Sequence, residues 1–298
     1  MVELKKPLDY SSQIKRLRDF HKLTIGDEKE ALLILQSINY YRLSGYGIGL
    51  TEQNNHDEYR QGVSLRDLYD LYQFDSVLKN TLLHFIEQIE IELRTKIAYC
   101  LSVKYGSDGY YEPKNFSSKI DNNHNLIHTR VIHQFEKEVE NNKSLPFVKH
   151  HLDKYEGKFP IWVAVELFSF GQLSSLYSIM ESVDRKEIAK QYNCAPRYLG
   201  VWIQLLVEVR NICAHYGRLY NLPLRHQPPL PQEYRAFCQF KAQTKIFPVV
   251  LVLKLLLKSN SQWASFYAIL KKLLRNYHHV VRLSFMGFPP DWEDVLSK

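Results

Sequence analysis

Residues 78–101 read LKNTLLHFIEQIEIELRTKIAYCL, in which Leu78, Leu82, Phe85, Ile86, Ile89, Leu93, Ile97 and Leu101 recur at threes and fours. Such spacing marks an α-helix that buries one face. The pattern runs from Ser64 to Tyr105, with an interruption expected near Phe74–Asp75. Outward from it, helices are expected over Ser11–Phe20, Asp27–Tyr40, Asn125–Asn141, Ile161–Met180 (interrupted at Gly171), Asp184–Tyr192, Pro196–Tyr216, Ile246–Leu257 and Gln262–His279. Ser107–Asn123 is rich in Gly, Asn, Ser and Asp and reads as a loop. Period-two alternation is nearly absent, so the chain is expected to be all-α, a helical bundle. Residues 1–62 read as an N-terminal helical cap and 63–298 as the main helical domain.

The chemistry concentrates in Glu208-Val209-Arg210-Asn211-Ile212-Cys213-Ala214-His215. On a helix, Trp202, Leu205, Leu206, Val209, Ile212, Cys213 and Tyr216 share an apolar face, while Glu208, Asn211 and His215 face water. Arg210 lies along the border, and Gly217 is expected as the residue that ends the helix. A planar guanidinium suits a phosphoryl charge, and an imidazole can move a proton near neutral pH. Asn211, four residues before His215, is placed to orient that ring. Two readings stay open here: a phosphate-handling pair, or an Arg210 paired with Glu208 or another acid and a His215 that caps the helix.

Bulk properties narrow the classes. The 298 residues carry a net charge of +7, and 45% are apolar, as in an ordinary globular protein. Residues 1–200 hold 26 Lys/Arg against 27 Asp/Glu, whereas residues 201–298 hold 13 against 5, so the surplus sits with the Arg/His helix. A local positive field attracts polyanions, nucleic acid first. Cys100, Cys194, Cys213 and Cys238 show no CxxC spacing and read as reduced thiols of a cytoplasmic protein. The first residues lack the apolar core of a signal peptide. The greasiest run, Ile246–Leu257, is too short to span a bilayer, so no membrane partner is expected.

R-x4-H alone is weak: 15 Arg and 12 His in this chain give about 0.6 chance occurrences. A second match, Arg16–His21, is read as that accident. The wider stretch Arg210-Asn211-Ile212-Cys213-Ala214-His215-Tyr216-Gly217-Arg218-Leu219-Tyr220-Asn221 resembles the R-N-x-x-A-H signature of HEPN domains. More narrowly, it resembles the abortive-infection, AbiD/AbiF-like proteins of bacterial phage defence. Ser37-Ile38-Asn39-Tyr40-Tyr41-Arg42-Leu43-Ser44-Gly45-Tyr46 resembles their N-terminal signature, and Ile89-Glu90-Ile91-Glu92-Leu93-Arg94-Thr95-Lys96-Ile97 their central helix.

The resemblance implies a HEPN-type helical bundle with an N-terminal helical extension, acting as a metal-independent endoribonuclease toxin of abortive infection. His215 would be the general acid/base, Arg210 the stabiliser of the phosphorane and Asn211 the positioning residue. Relatives often carry a second histidine where this chain has Tyr216, which puts any auxiliary proton transfer in doubt. With one credible Arg/His copy, a homodimer is implied, as is a structured RNA that restrains the enzyme. No cofactor is expected.

Further RNA contacts are expected from Arg218, Lys245, Lys254, Lys258, Lys271, Lys272, Arg275 and Arg282, interleaved with aromatics, and from Tyr41 and Arg42. The interleaved aromatics are Trp263, Phe266, Tyr267 and Tyr277, which suit a core-facing stripe equally well. His124, His128 and His133 lack the Glu of HExxH and are not expected to bind metal. The alternative function is a non-catalytic RNA-binding protein; a DNA-binding regulator is weaker, for want of a helix-turn-helix sequence.

Overall fold

The computed structural model describes residues 4, 6–237, 244–257 and 259–297. Among these, fourteen α-helices follow in order: α1 (Tyr10–Lys15), α2 (Glu28–Ser37), α3 (Tyr40–Ser44), α4 (Leu65–Tyr105), α5 (Ile127–Asn141), α6 (Pro146–Lys154), α7 (Ile161–Leu167), α8 (Phe170–Ile179), α9 (Ser182–Lys190), α10 (Pro196–Ala214), α11 (Gln232–Arg235), α12 (Ile246–Leu256), α13 (Asn260–Asn276) and α14 (Trp292–Ser297). Among the described residues only isolated β-bridges occur, no strand, so the fold is all-α as expected.

α4 is the axis. Its 41 residues span about 60 Å at the helical rise. Ser64 starts it with a capping box, its hydroxyl accepting the Asp67 N–H while the Asp67 carboxylate accepts the Ser64 N–H. Gly106, at φ +84°, ends it. α7, α10 and α13 pack along it, with α8, α9 and α12 adding further contacts. Each fully buried Leu, Ile or Phe on its inner stripe contributes about 1.5–3 kcal/mol. α12 is apolar apart from Lys254 and buried throughout its first eight residues. Pro248 is tolerated there because its position in the first turn needs no N–H donor.

The structure corrects two expected breaks. α4 runs unbroken through Phe74–Asp75, because both side chains are wholly buried and the Asp75 carboxylate is fully engaged. The Ile161–Met180 segment breaks at Phe168–Ser169, not at Gly171, since Ser169 forms a capping box with Gln172 and starts α8. The buried side chains form one continuous cluster from Ile14 to Leu296, crossing residues 62 and 63.

Candidate active site at the end of α10

Pro196 opens α10 at a position that needs no donor. Leu199, Trp202, Ile203, Leu205, Leu206, Val209 and Cys213 then anchor it in the core. The helix stops at Ala214, with His215 as C-cap. Here the structure differs from the expected ending. The left-handed residue is Tyr216, at φ +55°, and Gly217 follows it. The Gly217 N–H donates to the Ile212 carbonyl at 2.8 Å and the Tyr216 N–H to Cys213 at 3.2 Å, a Schellman closure. Gly217 is needed for space: a Cβ there would lie 3.1 Å from Ile212 Cγ2 and 3.2 Å from the Ile212 oxygen. Tyr216 therefore leaves the expected apolar face and is 73% exposed.

A left-handed tyrosine costs on the order of 1–2 kcal/mol, and persists only where its surroundings hold it. Arg42 Nη1 donates to the Tyr216 carbonyl at 2.6 Å. Lys79 Nζ donates to the Gly217 carbonyl at 2.9 Å. The Asp75 carboxylate accepts the N–H of Leu219 at 3.2 Å and of Tyr220 at 2.7 Å. It also accepts the Tyr46 hydroxyl at 2.7 Å and pairs with Lys79 at 3.2 Å. Asp75, Lys79 and Tyr46 are all buried. This polar clamp fixes the turn that carries His215, and it joins α3 and α4 to the end of α10.

Arg210 and His215 both reach solvent, Arg210 with 33% of its side chain exposed. Glu208 does not pair with Arg210; its carboxylate accepts the N–H groups of Arg225 and His226 and the His226 ring Nδ1. Arg210 Nε faces the buried Glu90 at 4.0 Å instead. Glu90 is also bonded by Arg94, which in turn holds the Val165 carbonyl on α7. The Asn211 carboxamide oxygen accepts from Arg210 Nη1 at 3.2 Å, so it steadies the guanidinium and not the imidazole. Burial, followed by the Asp75 charge, pushes the Cys213 thiol up to about 12, which leaves no thiolate nucleophile beside the pair.

The expected RNA contacts divide. Lys254 donates to the Val295 and Leu296 carbonyls, and Lys271 pairs with Glu293. Arg218 donates to the Tyr220 carbonyl and Lys245 to Asn221 Oδ1. Burial lowers the Lys245 amine below the ordinary lysine value, and neighbouring Arg218 lowers it further. Lys272, Arg275, Arg282, Tyr41 and Arg42 are exposed. Lys258 and Cys238 lie outside the described residues. Of the aromatics, Phe266 is buried, and Trp263, Tyr267 and Tyr277 are half-buried against the core. His128 is buried, its Nε2 on the Tyr110 carbonyl at 2.9 Å.

Sequence reasoning gave no role to Asp75, Lys79 or Glu90, and Tyr46, grouped there with Tyr40, Tyr41 and Arg42 as either an RNA contact or packing, is buried. The available signal was a carboxylate and a lysine at i, i+4 beside the apolar stripe of α4.

The fold and this helix end define an all-helical protein with an Arg/His pair at the end of a core-anchored helix. The chain belongs to the Abi-like protein family, whose model matches residues 33–221. That span takes in Arg42, Asp75, Lys79, Glu90, Arg210 and His215. No curated protein matches the chain, and no solved structure does. Among the described residues no helix is long and apolar enough to cross a membrane.

Proposed function

We propose that this protein is a metal-independent HEPN-type endoribonuclease of abortive infection. Membership of the Abi-like family points to phage defence. The observation that carries the nuclease reading is that a partly exposed Arg210, steadied by Asn211 and Glu90, and an exposed His215, on a turn clamped from three sides, both reach solvent at the end of one core-anchored helix.

In the proposed reaction the RNA 2′-oxygen attacks its neighbouring phosphorus. The O2′–P bond forms, the P–O5′ bond breaks, and the products carry a 2′,3′-cyclic phosphate and a 5′-hydroxyl. Arg210 stabilises the charge that builds on the phosphorane oxygens. His215 takes the proton from the 2′-hydroxyl or gives one to the departing 5′-oxygen. One imidazole cannot do both at once, so a second copy of the chain supplies the other. Ile91, Tyr99 and Val103, 63%, 65% and 69% exposed along one line of α4, offer an apolar surface for that copy.

The test is incubation of the full chain with end-labelled RNA in EDTA. Cleavage to 2′,3′-cyclic ends is expected, with a loss of about 10²-fold or more on His215→Ala or Arg210→Ala. RNA bound but left intact, under conditions that strip any restraining RNA, would instead favour the non-catalytic RNA-binding reading.

A further inference from the structure

The second Arg/His match, Arg16–His21, is not idle. Residues five apart on an α-helix point about 140° away from one another. Here the segment Arg16–Phe20 is a π turn, in which the His21 N–H donates to the Arg16 carbonyl at 3.1 Å. This wider winding stacks the two residues on one side, and π turns gather at functional sites. Arg16 and His21 both line a cleft of about 900 Å³, together with Tyr40, Tyr41 and Asp57.

The side chains there are held ready. The Arg16 guanidinium lies 4.7 Å from the centre of the Phe20 ring, a cation–π contact. Its charge also acts on the Tyr40 hydroxyl, partly offsetting the rise that burial gives it. His21 Nδ1 donates to the Asp57 carbonyl at 2.6 Å, which leaves Nε2 as an acceptor in the neutral ring. Tyr41 is 86% exposed, an aromatic face without cover. Asp57 disfavours an anion on its own wall, so Arg16 and Lys6 form the phosphate side.

The cleft adjoins the end of α10. Tyr41 precedes Arg42, which holds the Tyr216 carbonyl, and Tyr216 follows His215. We propose that this cleft is a nucleotide-binding subsite for single-stranded RNA flanking the scissile linkage. Arg16 takes a phosphate, Tyr41 stacks a base, and His21 Nε2 accepts from a 2′-hydroxyl or a base amino group. The inference rests on the ribonuclease reading above, and its test separates the two.

A 4-thiouridine-substituted single-stranded RNA is crosslinked to the full-length His215→Ala protein and the labelled peptide is mapped. Binding and cleavage are then compared for the parent, Arg16→Ala, Tyr41→Ala and Tyr41→Phe, with far-UV circular dichroism to show that each is folded. The crosslink is expected within Tyr40–Arg42. Arg16→Ala and Tyr41→Ala should each weaken binding about tenfold, raising KM while kcat holds, and Tyr41→Phe should keep affinity. Arg16→Ala should also lower the salt slope by about 0.7. A parent that binds and cleaves RNA while both alanine variants match it, with crosslinks elsewhere, overturns the subsite. A parent that binds without cleaving, with binding lost in the variants, keeps the subsite and removes the ribonuclease reading. A parent that neither binds nor cleaves removes both.

Discussion

The Asp75 carboxylate accepts the backbone N–H of Tyr220 at 2.7 Å, joining the N-terminal third of α4 to a turn 145 positions further along the chain. Both residues are buried, so the bond is made out of water, where a lost partner is expensive. The carboxylate is satisfied on every side by Tyr46, Lys79, Leu219 and Tyr220.

Asp75→Ala leaves Lys79 buried without its counter-charge. Unfolding in urea should show a loss of about 3–5 kcal/mol. The double variant Asp75→Ala, Lys79→Met should recover part of it, because neither charge is then stranded. Equal losses in single and double variants would rule out the pairing as the cause.

Tyr216 and Gly217 should respond in opposite directions. Tyr216→Gly relieves the left-handed strain and removes a ring that is 73% exposed, so stability should rise by about 0.5–1 kcal/mol. Gly217→Ala forces a Cβ against Ile212 and should lower it by about 1–3 kcal/mol. Thermal melts of the two variants beside the parent give both signs.

Alkaline pH should destabilise the protein in part by way of its thiols. Burial pushes Cys213 up to about 12 and Cys100 and Cys194 up to about 11, from an ordinary value of 9.0. A thiol whose folded value is raised favours the folded state fully below pH 9, and that stability is lost as pH climbs from 9 toward 12. Denaturant midpoints should fall across this window, and less steeply in Cys213→Ala. Iodoacetamide should label Cys213 only after unfolding.

The cationic residues should separate by role. Lys254→Ala removes two hydrogen bonds to carbonyls of α14 and should cost about 1–3 kcal/mol of stability with the salt slope of RNA binding unchanged. Lys272→Ala and Arg275→Ala, both exposed, should leave stability within about 0.5 kcal/mol. Each should instead flatten the salt dependence by about 0.7. A slope untouched by either would remove α13 from the RNA surface.

Ile91→Glu and Tyr99→Glu place charge on the exposed line of α4. Light scattering should report a dimer for the parent and a monomer for both variants, with nuclease activity lost as well. A monomeric parent with full activity would defeat the requirement for a second imidazole.

The helical class was legible because the period of three and four in residues 78–101 has no strand-like competitor. The ends of α10 were legible too, through Pro196 and the cluster around Gly217, although the left-handed position fell on Tyr216. A sequence pattern cannot show that a carbonyl grip from Arg42 and Lys79 will hold a tyrosine where glycine is usual. Asp75 misled in the same way. A carboxylate in an apolar stripe looks like an interruption until the distant N–H groups that satisfy it are seen. Glu90 was visible only as part of a familiar-looking helix, since its partners come from α10 and from its own next turn.

The grip on Tyr216 also has a temporal side. Arg42 and Tyr216 are 174 positions apart, and closure of so long a loop comes late as the chain folds. A nascent polypeptide can wind every helix up to α9 on the ribosome and still lack a locked His215. A chain abandoned before Tyr216 would therefore lack the clamped turn that, under the proposed ribonuclease reading, presents His215.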